Sequence, residues 1–125
     1  MHKLLIIDDE RDVALLYEQR FRREIASGEF SLHFVFSAEE ALAFMDSLSP
    51  FDLVLIMSDI NMPGMNGIEL LKETKKLFPL LKVVMVSAYD NYKELASQLG
   101  ADDYITKPVD FTALKASIRQ LIESN

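Results

Sequence analysis

A carboxylate, Asp59, stands just beyond the continuous apolar run Leu53-Val54-Leu55-Ile56-Met57, and a turn containing Pro63, Gly64 and Gly67 follows it. A run of that length suits a strand buried on both faces of a parallel sheet. Open α/β sheets place their chemistry beyond the carboxyl ends of such strands. One acid there carries little weight, because Asp commonly opens a turn. Three other segments end the same way: Asp8 and Asp9 follow 3–7, Ser87 closes 82–87, and Lys107 follows 102–106. Parallel strands would gather all of these groups at one edge. Three converging carboxylates repel one another, and a divalent cation relieves that repulsion. A small cluster of hard oxygen ligands favours Mg²⁺ or Mn²⁺, with water filling the remaining positions. One carboxylate could then act as a nucleophile toward phosphorus and become an aspartyl phosphate. The cation, a lysine ammonium and a hydroxyl would neutralise the phosphoryl oxygens.

The elements that position these groups alternate along the chain. Residues 3–7 read as a buried strand. From Arg11 to about Ala26 the pattern is helical, with Val13, Tyr17, Phe21 and Ile25 spaced by four, and Ser27-Gly28-Glu29 stops it. Phe30, Leu32, Phe34 and Phe36 alternate with Ser31, His33 and Val35, a strand with one more apolar face. Ser37-Ala38-Glu39-Glu40 is a capping box for a second helix with Ala41, Leu42, Met45 and Leu48 inward, ended by Ser49-Pro50. After strand 53–58, a third helix runs from Gly67 to Phe78 and stops at Pro79. Strand 82–87 precedes a fourth helix, Asn91 to Leu99, capped by Gly100. A short strand, 102–106, leads to Lys107-Pro108. Asp110 then caps a last helix whose inward stripe is Phe111, Leu114, Ile118 and Leu121. Five strands alternating with five helices call for a parallel sheet covered on both faces, in a single domain over 1–125.

Composition removes several function classes. A net charge of −7 and a pI near 4.7 argue against a nucleic-acid-binding surface. The chain has no cysteine, which excludes disulfides, thiolate catalysis and zinc–thiolate sites. His2 and His33 are too few and too separated for a histidine metal cluster. No apolar run approaches the roughly 20 residues of a membrane span, and no leader pattern opens the chain, so a cytoplasmic protein is the expectation. Arg20, Arg22 and Arg23 near the end of the first helix read as a solvated face.

Together, Asp8-Asp9, Asp59-Ile60-Asn61-Met62-Pro63 with Gly67, Ser87-Ala88, and Tyr104-Ile105-Thr106-Lys107-Pro108 resemble the receiver domain of two-component response regulators. Taken singly, each has an ordinary reading: a strand end, a surface lysine, a packing aromatic, a turn. In this order, at successive strand ends, they make a specific pattern that spans essentially the whole chain. The resemblance implies a flavodoxin-like (CheY-like) doubly wound sheet of order 2-1-3-4-5. It maps the phosphoacceptor onto Asp59 and the metal-binding acids onto Asp9, directly, and Asp8, through water. The Asn61 backbone carbonyl would complete the protein ligands. Ser87 matches the switch hydroxyl, Tyr104 the aromatic switch residue, and Lys107 the phosphate-facing lysine, with the Lys107-Pro108 bond cis. Asn61 and Tyr89 fall where this family tunes dephosphorylation.

The implied donor is a sensor histidine kinase or a histidine phosphotransfer protein, since both histidines here lie away from the site. Phosphorylation would draw in Ser87 and Lys107 and let Tyr104 repack the face made by the fourth helix, fifth strand and fifth helix. The output partner or domain is not legible, and a phosphorylation-dependent homodimer is compatible with the pattern. Such a domain catalyses only its own phosphorylation and dephosphorylation. Two features depart from the family: Asp52 precedes Asp59 by seven residues where about five are usual, and Arg20 to Phe34 is longer than the usual first helix and turn. An even insertion keeps strand parity. Among alternatives, a phosphohydrolase of the haloacid dehalogenase type would want an acid at Asn61. A flavodoxin would want a phosphate loop where Asp8-Asp9-Glu10 stand, and a pseudo-receiver would lack part of the site.

Overall fold

The computed structural model describes residues 2–47 and 53–123. The element order is β1 (His2–Ile7), α1 (Asp12–Arg20), α2 (Arg22–Ser27), β2 (Phe30–Val35), α3 (Ala38–Asp46), β3 (Leu55–Asp59), α4 (Gly67–Leu77), β4 (Lys82–Ser87), α5 (Lys93–Gln98), β5 (Asp103–Thr106) and α6 (Phe111–Glu123). The strands form one parallel sheet in the order β2-β1-β3-β4-β5. This is the doubly wound architecture and strand order expected from the sequence. Asp52, Leu48, Ser49 and Pro50 lie outside the described residues, so the spacing before β3 has no structural account here.

Strand alternation divides the core in two. Leu5, Ile7, Ile56, Val83 and Met85 face α3, α4 and α5, where they meet Ala41, Leu71 and Ala96. Leu4, Ile6, Leu55, Met57 and Val84 face the opposite way, onto Tyr17 and Phe21 of the first helical region and Leu114 and Ile118 of α6. The central strands are therefore apolar on both faces, as parallel strands require. Met57, Met62 and Met85 are buried packing residues.

Among the described residues the helix count is six, not five. The stretch expected as one helix is divided at Phe21, whose φ/ψ of −100°/12° leaves the helical region. Hydrogen bonding carries on across the break, from Phe21 N–H to Tyr17 O and from Ile25 N–H to Phe21 O, both 2.9 Å. The side chain supplies the reason: the Phe21 ring is fully buried and meets Phe30, Phe111 and Tyr17 with centroids 6.0–6.2 Å away. Beyond the break the chain is turned enough that Ile25, expected inward, lies 39% exposed. Ion pairs from α6 hold α2 and the turn after it instead, Lys115 to Glu24 (3.1 Å) and Arg119 to Glu24 (3.4 Å) and Glu29 (2.8 Å). Gly28, at φ +80°, then reverses the chain into β2.

The end of α4 nearest the sheet edge is held against β3 by an approach that only glycine permits. Asn66 and Glu69 form a reciprocal capping box, and Gly67 N–H donates to Ile60 O at 2.9 Å. A Cβ on Gly67 would lie 2.3 Å from Asp59 O and 2.8 Å from Ile60 Cα. Gly67→Ala is therefore expected to destabilise the protein by about 1–3 kcal/mol, measured by urea unfolding. A midpoint unchanged from wild type would contradict this close packing.

Candidate functional site

The register of the ladder explains why the polar groups converge. Ile7 pairs with Ser58, Asp59 with Val86, and Ser87 with Thr106. Asp8 N–H to Val35 O, Ile60 N–H to Val86 O and Lys107 N–H to Ser87 O carry the pairing one residue past the strand ends. Asp8, Asp59, Ser87 and Lys107 thus share one edge. Oxygens of Asp8, Asp9 and Asp59 lie within 4.8 Å of one another. Lys107 Nζ stands 3.4 Å from Asp8 Oδ2 and 3.7 Å from Asp59 Oδ2. Asp8 also accepts the Glu10 N–H at 2.9 Å, which fixes the β1–α1 turn around it.

One ammonium does not balance three carboxylates. Burial pushes the Asp59 carboxyl up to about 6, Lys107 pulls the other way, and Asp8 and Asp9 add to the rise. Burial works against the charged form of Lys107 too, but Asp59 and Asp8 outweigh it and hold its pKa above the ordinary value. Tyr17 lies beneath the site on the same face of the sheet. Its phenol is raised by burial first, then by Asp8 and Asp59, and stays protonated. A compact set of hard oxygens with surplus negative charge suits Mg²⁺.

Ser87 and Tyr104 sit on the other face of the sheet. Ser87 is fully buried, and its Oγ accepts the Tyr89 N–H at 3.2 Å. Tyr104 is already seated against the β4–α5 loop, its hydroxyl donating to Tyr89 O. Asn61 is exposed beyond β3 and lines a cleft of about 620 Å³ with Ala88, Tyr89, Asp90, Asn91 and Tyr92. The Lys107-Pro108 bond is cis. His2 opens β1 at the opposite edge, and His33 stacks on Phe44 at 4.0 Å along β2, away from the acids.

Comparison with known proteins places the chain. The profile of the response regulator receiver domain matches residues 4–119. The chain belongs to the response regulator receiver family. It is 34% identical over 124 residues to the transcriptional regulatory protein CpxR of Klebsiella pneumoniae, covering 98% of this chain and 50% of that protein. The receiver domain described here thus spans about half the length of that curated relative. Among solved structures it is similar to the response regulator TrrA of Thermotoga maritima in complex with Mg²⁺-BeF (30% identity, TM-score 0.81, 97% of this chain and 99% of that one). It is also similar to a CheY-like receiver domain of Methanospirillum hungatei (29% identity, TM-score 0.86, 99% and 95%). Among the described residues no helix is long and apolar enough to cross a membrane.

Three residues beside the receiver site carry no functional signal in the sequence pattern. Glu39 of α3 accepts the Met65 N–H at 3.3 Å and so holds the β3–α4 loop that carries Asn61. Its only sequence signal was the capping box. In the sequence Tyr17 belongs to an apolar stripe, although its phenol carries a polar end that feels the charges of Asp8 and Asp59. Asp90 accepts from Thr106 Oγ1 at 2.6 Å, a contact between distant segments that local pattern does not encode.

Proposed function

We infer that this receiver domain accepts a phosphoryl group on Asp59 from a phosphohistidine of another protein, a sensor histidine kinase or a histidine phosphotransfer protein. The observation that carries this is the three-carboxylate cluster with Lys107 Nζ 3.7 Å from Asp59. In the transfer an Asp59 carboxylate oxygen bonds phosphorus as the phosphorus–nitrogen bond to the donor imidazole breaks. Lys107 neutralises charge on the phosphoryl oxygens. Asp8, Asp9, Asp59 and the Asn61 carbonyl are the ligands we assign to Mg²⁺, with Mn²⁺ as a substitute of similar ligand chemistry. Bound there, the cation supplies positive charge to the transferring group. Since neither histidine is at the site, the imidazole comes from outside. A groove of about 660 Å³, lined by Leu16, Tyr17, Arg20, Lys107 and Phe111 among others, runs beside Asp8 and gives a partner a surface.

The new charge of about −1.5 to −2 would draw the Ser87 hydroxyl off the Tyr89 N–H. Tyr104, bonded to the neighbouring carbonyl, would report that shift to the α5–β5–α6 face, where an output partner, an attached domain or a second copy reads it. A population shift of this kind needs a differential of only a few kcal/mol. Acetyl phosphate with Mg²⁺, followed by intact mass and peptide mapping, tests the reading. We expect one phosphoryl adduct, on the peptide holding Asp59, and none in EDTA. An adduct elsewhere, or one indifferent to EDTA, would sink it.

A further inference from the structure

Residues 104 and 106 of β5 share a face, because side chains two apart on a strand point the same way. Both reach the loop that links β4 to α5. Tyr104 donates to Tyr89 O, and Thr106 Oγ1 donates to Asp90 Oδ1 at 2.6 Å. Lys107 N–H adds a backbone bond to Ser87 O at 2.8 Å. Asp90 O in turn accepts the Lys93 N–H at 3.0 Å, so Asp90 joins β5 to the start of α5. Three successive points of β5 and its extension thus fasten 87–90. Of the three, the Thr106–Asp90 bond is the one made by two side chains.

The fastened loop forms one side of the 620 Å³ cleft, and exposed Asn61 forms the other. Asn61 lies two residues from Asp59, which puts the cleft beside the acceptor along the chain. We propose that water reaches an Asp59 phosphoryl group between Asn61 and residues 88–92, and that the Thr106–Asp90 hydrogen bond is a latch that holds this wall in place and thereby sets the lifetime of the aspartyl phosphate. Asp90 and Thr106 are positioning residues and touch no reacting atom. The step they slow is hydrolysis. Water oxygen bonds phosphorus, the bond from phosphorus to the Asp59 oxygen breaks, and the carboxylate is restored. Inorganic phosphate leaves with both of water's protons. The inference rests on Asp59 being the acceptor.

The test loads the protein with acetyl phosphate and Mg²⁺, removes the donor, and follows adduct decay by intact mass. Thr106→Val and Asp90→Ala are each expected to shorten the half-life about three- to tenfold, the loss of one hydrogen bond's worth of restraint. The double variant should match the single ones, and Thr106→Ser should decay as wild type does. Unchanged or longer half-lives in both single variants, or a double variant multiplying their effects, would overturn the latch. Hydrogen exchange provides a readout independent of phosphorylation: amides of 88–92 should exchange faster in Thr106→Val than in wild type. If wild type took up no phosphoryl group, the acceptor reading would fall. The exchange result would still decide whether the bond holds the loop, unchanged protection ruling it out.

Discussion

Asp59→Asn is expected to take up no phosphoryl group and yet to be the more stable protein. The first half follows from chemistry, since an amide oxygen lacks the carboxylate's charge and does not form a stable acyl phosphate. The second half follows from the site's electrostatics. Burial, with Asp8 and Asp9 nearby, raises the Asp59 carboxyl from 3.8 to about 6. That displacement corresponds to roughly 3 kcal/mol of unfavourable ionisation in the native, metal-free state. The sign matters. A carboxyl whose folded pKa lies above its unfolded one lends stability only while protonated, fully below about pH 4. The contribution is lost as pH rises through about 6. In EDTA at pH 7.5 the variant should therefore resist urea better than wild type, by up to about 3 kcal/mol. The gap should close as pH falls from 6 toward 4. A gap independent of pH would refute the electrostatic cause, and an adduct on the variant would refute the acceptor.

This cost explains which parts of the receiver domain were legible in its sequence. Strand order and the site edge could be read because both depend on short-range pattern. Residues 53–57 and 83–86 are apolar without interruption, and a polar residue follows each run, Asp59 closing β3 and Ser87 closing β4, so burial fixes the strands and parallel pairing fixes the edge. The break at Phe21 could not be read that way. Its spacing from Tyr17 and Ile25 is helical, and only the demand of Phe30 and Phe111 for a buried ring between them turns the chain there. Ile25 consequently reaches solvent while α2 and the turn after it are held by Lys115 and Arg119, whose partners Glu24 and Glu29 lie about ninety residues earlier. The acids announced themselves because they violate the local pattern, being charges at the end of buried strands. Thr106 and Asp90 did not, because a polar residue on a strand edge or in a loop violates nothing.

Lys107→Met should separate the two roles proposed for one ammonium. Methionine keeps most of the side chain's length and apolar packing and removes its charge. In the wild type the ammonium stands 3.4 Å from Asp8 and 3.7 Å from Asp59, so it already occupies part of the negative field a cation would use. Two unit charges at 4 Å interact by about 4 kcal/mol at the effective dielectric of a protein surface. The ammonium and a cation among the carboxylates would lie farther apart and be better screened, leaving an effect of roughly 1.4 kcal/mol. Mg²⁺ affinity in the variant should accordingly rise about tenfold, measured by titration calorimetry. Phosphoryl transfer from acetyl phosphate should fall about 10²- to 10³-fold, the usual loss when one preorganised charge facing a transferring group is removed. These opposite signs discriminate between explanations. A variant that merely loosened the edge of the sheet would bind Mg²⁺ more weakly and transfer more slowly together. Tighter binding with slower transfer requires that Lys107 compete with the cation for Asp8 and Asp59 before transfer and share the phosphoryl oxygens with it during transfer.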